Sequence, residues 1–307
     1  MPEVIPVTPD NFWRAESDLM LGGTAKEAGG LGKFQHHREV IGPGFLVVRP
    51  NRDTLYSMSV FDLDAGPVTI VMPDAGKRLM SLMVVDEDHY ISAVHYGPGE
   101  HTFTRKDIGT RYVGLGVRTF VDPNNPNDVK AVHALQDAIK VNQPGGPGKF
   151  EAPGWDKASQ DKVRDALKAL GETQGDFSKS FGRRDEVDPV RHLIATATGY
   201  GGTPEKDATY SGVTPKRNDG KTAYVLSVKD DVPVDGFWSV TVYNKEGGLI
   251  DNTYKAYSFN NVTAKRDPDR SVTIHFGGDD KASNFLPIEP GWNYLVRLYR
   301  PRPEILD

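Results

Sequence analysis

Apolar residues along this chain change their spacing twice. From Gly44 to about Asp122 they come in short runs bounded by Gly, Pro and Asp. These runs predict strands at Phe45–Arg49, Leu55–Leu63, Val68–Met72, Leu79–Val85 and Arg111–Val121. In the last of these, Val113, Leu115, Val117, Thr119 and Val121 share one face. The run Leu79–Val85 is apolar on both faces and predicts a central strand. From Pro123 to Gly199 the spacing becomes helical. Asn127 starts a helix reaching Val141, and Ser159 starts one with Val163, Ala166, Leu167 and Leu170 on one face. Asp188-Pro189 caps a third, which Gly199 ends. After Gly212, alternation returns at Thr222–Val228, Phe237–Tyr243, Ser271–Phe276 and Trp292–Tyr299. In the last, Trp292, Tyr294, Val296 and Leu298 oppose Asn293, Leu295, Arg297 and Tyr299. Near the N-terminus, Thr8-Pro9-Asp10 signals a helix start, and Gly22-Gly23 is expected to break that helix.

Strands, then helices, then strands predict an α+β fold that is mainly β. Two antiparallel β domains, sandwich-like or jelly-roll-like, are expected with a helical segment bridging them. The expected boundaries are 1–122, 123–205 and 206–307. Gly 32 and Pro 22 fit a chain with many turns. The net charge of −5 gives no basic footprint for nucleic acid. No apolar run approaches the roughly 18 residues of a membrane-spanning helix. The sequence as it stands points to a soluble cytoplasmic protein, and to the periplasm if a leader has been removed. Cysteine is absent, which excludes disulfides, thiolate nucleophiles and cysteine-ligated zinc.

The densest group of chemically capable side chains is Arg49, Asn51, Arg52, Asp53 and Tyr56, set between apolar runs. Arginine recognises carboxylate or phosphate in a bidentate manner, so Arg49, Asn51 and Arg52 are candidate ligand contacts. Asp53 and Tyr56 are candidate acid–base groups, joined by His89 after the acidic run Asp86-Glu87-Asp88. An internal Arg–Asp lock on a strand turn explains the same cluster as well. Trp238, Tyr243 and Asn244 set aromatic faces beside an amide and are candidate contacts for a flat polar ligand. The histidines lack metal-ligand spacing, so no metal or other cofactor is expected. No Gly-x-Ser-x-Gly elbow, phosphate loop or dinucleotide fingerprint occurs.

The run Val48-Arg49-Pro50-Asn51-Arg52-Asp53-Thr54-Leu55-Tyr56-Ser57, followed by Gly66-Pro67-Val68 and Gly109-Thr110-Arg111-Tyr112, resembles the bacterial domain-of-unknown-function 1254 family. Gly236–Asn244 and Pro290-Gly291-Trp292-Asn293-Tyr294 through Arg300-Pro301 resemble its companion, domain of unknown function 1214. The resemblance implies two β-rich domains bridged by helices and assembled as a homo-oligomer. It carries no defined reaction. The carboxylesterase label some members bear requires a nucleophile elbow that this sequence lacks.

Two functions fit these residues first, and metal-assisted chemistry through His37, Glu39 and His89 ranks third. One is an enzyme using hydrolase-like or acid–base chemistry on a small polar or carboxylate-bearing substrate near Arg49–Tyr56. The other is a non-catalytic module that binds a glycan or small ligand and assembles with copies of itself.

Overall fold

A computed structural model describes residues 4–44 and 49–306. The chain forms two compact units. The first comprises residues 1–38, 56–119 and 131–205, and the second residues 39–55, 120–130 and 206–307. The helices expected to form a connecting segment at 123–205 therefore fall, from Ala131 onward, within the first unit. Of the strand expected at Phe45–Arg49, residues 45–48 lie outside the described residues, and Arg49 occupies a bend at φ 50°.

The described residues of the N-terminal two-thirds form strands β1 (Gln35–His36), β2 (Thr54–Asp62), β3 (Val68–Met72), β4 (Met80–Asp86), β5 (Ile91–Tyr96), β6 (Gly99–Phe103), β7 (Tyr112–Phe120) and β8 (Lys140–Asn142). They make a five-stranded sheet, β1-β2-β7-β4-β5, and a three-stranded one, β6-β3-β8, all antiparallel. One core joins both sheets: Leu82, Val84, Val113, Leu115 and Val117 from the first meet Val68, Ile70 and Phe103 from the second. The two-faced apolar run 80–86 is buried at every position and lies between β7 and β5, as its pattern requires.

The helices are α1 (Phe12–Glu27), the single turn α2 (Arg105–Ile108), α3 (Pro126–Asp137), α4 (Lys157–Gly171), α5 (Pro189–Thr198) and the short α6 (Pro303–Leu306). Asp188 caps α5 by accepting from the N–H groups of Val190 and Arg191, as expected. Two expectations are corrected. Gly22-Gly23 does not break α1, because a Cβ on Gly22 would stand 2.9 Å from a ring carbon of Phe150. Close packing there outweighs the helix-propensity cost of roughly 1 kcal/mol per glycine. The helix expected to reach Val141 stops at Asp137, and residues 140–142 pair with β3 as strand β8. Ile139 and Val141 thereby join the first core.

The second unit holds β9 (Ala208–Val213), β10 (Tyr224–Val228), β11 (Trp238–Tyr243), β12 (Ser258–Asn260), β13 (Val272–Phe276), β14 (Phe285–Leu286) and β15 (Asn293–Tyr299). Two sheets result, β12-β11-β15-β9 and β10-β13-β14, with β13–β14 the parallel pair. Trp238, Val240, Val242 and Trp292 pack against Val272, Ile274, Phe276 and Leu286 in a common core. The opposite face of β11 carries Ser239, Thr241 and Tyr243, each fully buried. That second burial positions the candidate site.

Candidate functional site

Period two places Ser239, Thr241 and Tyr243 on one face of β11. Register sets Arg297 beside Ser239, Asn293 beside Tyr243, and Asn260 on the other flank of Ser239. Residues 49–54 of the same unit lie on this polar face. The Arg297 guanidinium, 2% exposed, donates to Thr241 Oγ1 (3.0 Å), Tyr243 Oη (2.7 Å) and the carbonyl of Arg49 (2.9 Å). Tyr243 passes its own proton to the Pro50 carbonyl at 2.8 Å. Asn51 donates to Tyr299 Oη at 2.7 Å, and its Oδ1 accepts the N–H of Asp53 in a local turn. Arg49 donates to Asn293 Oδ1 at 3.2 Å.

Asp53 is fully buried and accepts from Asn260 Nδ2 at 3.0 Å through Oδ1. Its Oδ2 and the nearby Ser239 Oγ have no partner in hydrogen-bond geometry. Burial pushes the Asp53 carboxyl above its usual range, against the pull of Arg297, Ser239, Asn260 and Arg52 in that order. Arg297 is raised despite its burial, held charged by Tyr243, Tyr299 and Asp53. Arg52 turns elsewhere: its guanidinium lies 4.5 Å from the Tyr257 ring centre and donates to the Ile41 carbonyl. No arginine meets Asp53 at ion-pair distance among the described residues, so the internal Arg–Asp lock expected on the strand turn is not formed as such. Of the charges that act on Asp53, Arg297 from the far end of the chain outweighs Arg52.

The other candidates are dispersed. Trp238 belongs to the apolar core. Asn244 shapes a turn, with Oδ1 accepting from Gly248 N–H at 2.7 Å. Tyr56 lies in the first unit, its ring 5.6 Å from the Arg118 guanidinium.

His89, also in the first unit, has no exposed surface and sits at φ 65°. The Gly201 N–H donates to its Nε2 at 2.8 Å, so the ring proton is on Nδ1. Nδ1 donates to Thr196 Oγ1 (2.9 Å), which donates to the His192 carbonyl (2.9 Å). The ring stacks on Tyr200 at 4.2 Å and on His192 at 5.3 Å. Burial, then His192, pushes it well below the usual imidazole value. His89 is a neutral, fully bonded histidine. Among the described residues no three His, Asp or Glu side chains are arranged to hold a metal ion, and no helix is long and apolar enough to cross a membrane.

Sequence reasoning did not pick Arg297, Ser239 or Thr241 as site residues, and it noted Asn260 only as one of the amides beside the late aromatic strands. The available signal was alternation: Ser239-x-Thr241-x-Tyr243 and Asn293-x-Leu295-x-Arg297 set polar residues opposite faces already committed to aromatic and aliphatic core.

Comparison with known proteins agrees with the resemblance seen in the motifs. Residues 31–104 match the family described as protein of unknown function (DUF1254), and residues 208–303 match protein of unknown function (DUF1214). A search of curated proteins found no match. Among solved structures, the VPA0106 protein from Vibrio parahaemolyticus is similar at 21% identity and TM-score 0.75, covering 97% of this chain and 94% of that one. An uncharacterized protein from Burkholderia cenocepacia is similar at 14% identity and TM-score 0.51, covering 95% and 84%. These likenesses show the fold alone.

Proposed function

We propose that this chain, which joins a DUF1254 region to a DUF1214 region, binds a small polar, carboxylate-bearing ligand without transforming it. The ligand would lie on the polar face of the C-terminal sheet, beside Asp53, Ser239 and Arg297. One observation carries this reading. Asp53 Oδ2 and Ser239 Oγ are buried beside a buried guanidinium, near enough to act on each other but with no partner in hydrogen-bond geometry. Buried polar atoms ordinarily have well-formed partners, so a loosely met acid–hydroxyl pair beside a fixed cation leaves hydrogen-bonding capacity for a guest. A carboxyl held toward its neutral form can donate, the serine can donate, and Arg297 supplies charge; together they complement a carboxylate. Because Asp53 has no exposed surface, the 49–54 turn must part from the strands first, so association is slow.

The test is thermal shift and calorimetry with small carboxylates, polyols and oligosaccharides on wild type, Asp53→Asn and Ser239→Ala. At least one carboxylate should stabilise the wild type, and both variants should lose the effect. Silence across the panel from a folded wild type sinks the reading. A second reading, acid–base catalysis, is favoured by the raised Asp53 carboxyl with one oxygen outside hydrogen-bond geometry. It requires product formation from a bound carboxylate, abolished in Asp53→Asn while binding persists.

A further inference from the structure

Strands β5 and β6 stand at the ends of their sheets, β1-β2-β7-β4-β5 and β6-β3-β8. Only Gly97 and Pro98 separate them, with Gly97 at φ 80°. Backbone in that left-handed region suits glycine, so the chain steps from one sheet to the other in two residues. Register then fixes which side chains look inward. On β5, Ala93 lies opposite Val84 and His95 opposite Leu82. On β6, His101 lies opposite Ile70 and Phe103 opposite Val68. Cross-strand partners share a face, and Leu82, Val84, Ile70 and Val68 all belong to the core between the sheets. His95 and His101 therefore approach each other from opposite sheets, at the rim of that core.

Their ring centres are 4.2 Å apart, with planes inclined by 31°, and the Phe103 ring lies 6.1 Å from that of His95. The Nε2 atom of His101 is buried and has no partner in hydrogen-bond geometry. The neighbours that register sets beside the pair, Leu82 on β4 and Ile70 on β3, are apolar. Glu100, next to His101 in sequence, is exposed on the other face of β6. Burial lowers both imidazoles below their ordinary value, His101 lowers His95 further, and no carboxylate offsets either. Neutral, the two rings pack as flat aromatic surfaces. Charged, they would repel across a short gap with no anion between them.

We propose that His95 and His101 form an acid-sensitive latch between the two sheets of the first unit, closed while both rings are neutral and released when they are protonated. The first proton charges a half-buried ring that has no counter-ion, and the second sets two cations against each other. Turning the rings out to water relieves both costs. Each ring is carried by an end strand, so release disturbs one ladder in each sheet, β4–β5 and β3–β6, and leaves the inner pairings whole. It uncovers Phe103 and the rim of the core at Leu82 and Ile70. The opened edge binds protons more readily than the closed one. Closure is therefore complete at neutral pH and is lost as pH falls below the ordinary imidazole range.

The experiment follows amide hydrogen exchange of the full chain by mass spectrometry near pH 7.5 and near pH 5, corrected for intrinsic exchange rates. Peptides spanning residues 91–103 should lose about tenfold in protection on acidification, while β7, inside the same sheet, keeps its own. The double variant His95→Gln/His101→Gln, which has no imidazole to charge, should hold its protection at both pH values. Imidazole NMR supplies a second measure. In wild type both rings should titrate below free histidine, and His101→Gln should raise the His95 midpoint. Equal protection of 91–103 at the two pH values in wild type overturns the latch. An acid loss that persists in the double variant also overturns it, because other groups then cause it. If the double variant does not fold, wild-type exchange and the His95 titration decide, and a His95 midpoint that His101→Gln leaves unmoved overturns the pairing.

Discussion

Asp53 in the second unit and Asp18 and Asp86 in the first are all buried carboxyls pushed up by desolvation, yet their neighbours differ. Asp53 has Arg297 within electrostatic reach and an amide donor in Asn260. Asp18 and Asp86 have neutral donors at hydrogen-bond distance: an indole for one, two backbone N–H groups for the other. In the second unit the guanidinium that opposes this shift also binds the carbonyl of Arg49, so one side chain acts on both the acid and the turn. In the first, the acids have only neutral donors at hydrogen-bond distance, and burial raises both, so stability there follows pH.

Removing that guanidinium is the severest way to break the comparison. Arg297→Met should cost about 3–5 kcal/mol, since it strands a buried carboxyl and several acceptors. Urea unfolding checks this, and a loss below about 1 kcal/mol would remove Arg297 as the anchor. His89→Ala attacks a network that is buried but neutral. It should cost about 2–4 kcal/mol through lost packing and two orphaned partners, and a denaturation midpoint close to wild type would contradict the bonding described for this ring.

Asp18→Asn should act with the opposite sign. Its carboxyl is pushed from 3.8 up to about 6 in the folded protein. The folded state therefore binds the proton more tightly than the unfolded chain. Stability is lost as pH rises through that window and stays lost above it. The variant, which has no charge to bury, should be more stable than wild type by about 1–3 kcal/mol near pH 8 and indistinguishable near pH 4. Urea midpoints at the two pH values decide, and Asp86→Asn, for a carboxyl also pushed to about 6, should follow suit. The smallest effect is expected at Arg52→Gln. Its guanidinium stacks on Tyr257 at the margin of the network, and losing it should cost about 0.5–1 kcal/mol. A cost matching that of Arg297→Met would erase the distinction between centre and margin.

Much of the fold was legible because its longer strands are buried on at least one face and keep period two. Val68–Met72 occupies the expected bounds, and Trp238–Tyr243 and Asn293–Tyr299 each begin one residue late. Gln35–His36, Lys140–Asn142 and Phe285–Leu286 are too short for any periodicity to register. Ile91–Tyr96 and Ala208–Val213 are largely half-buried or exposed, so their sequences need not alternate. Within the site, the polar density of Arg49–Asp53 was visible, but its partners were not. Arg297, Asn260 and Tyr299 lie more than two hundred residues away, and no local pattern says which strand lies opposite. His89 followed an acidic run that suggested chemistry, while Thr196 and Gly201, which lock its tautomer, are over a hundred residues distant.

The long reach of those contacts has a consequence for biosynthesis. Asn51 leaves the ribosome 248 residues ahead of Tyr299, its hydrogen-bond partner, and Asp53 leaves 207 ahead of Asn260. At about 5–20 residues per second, the early segment waits roughly 10–50 s before the strands that hold it exist. A nascent chain stalled before β15 leaves Asp53 without its guanidinium and the polar face of β11 unfinished. A fragment beginning after residue 205 has the converse defect, with Arg297 complete but lacking the carbonyl of Arg49 that it binds. The second unit is therefore assembled from both ends of translation, and neither end can close it alone.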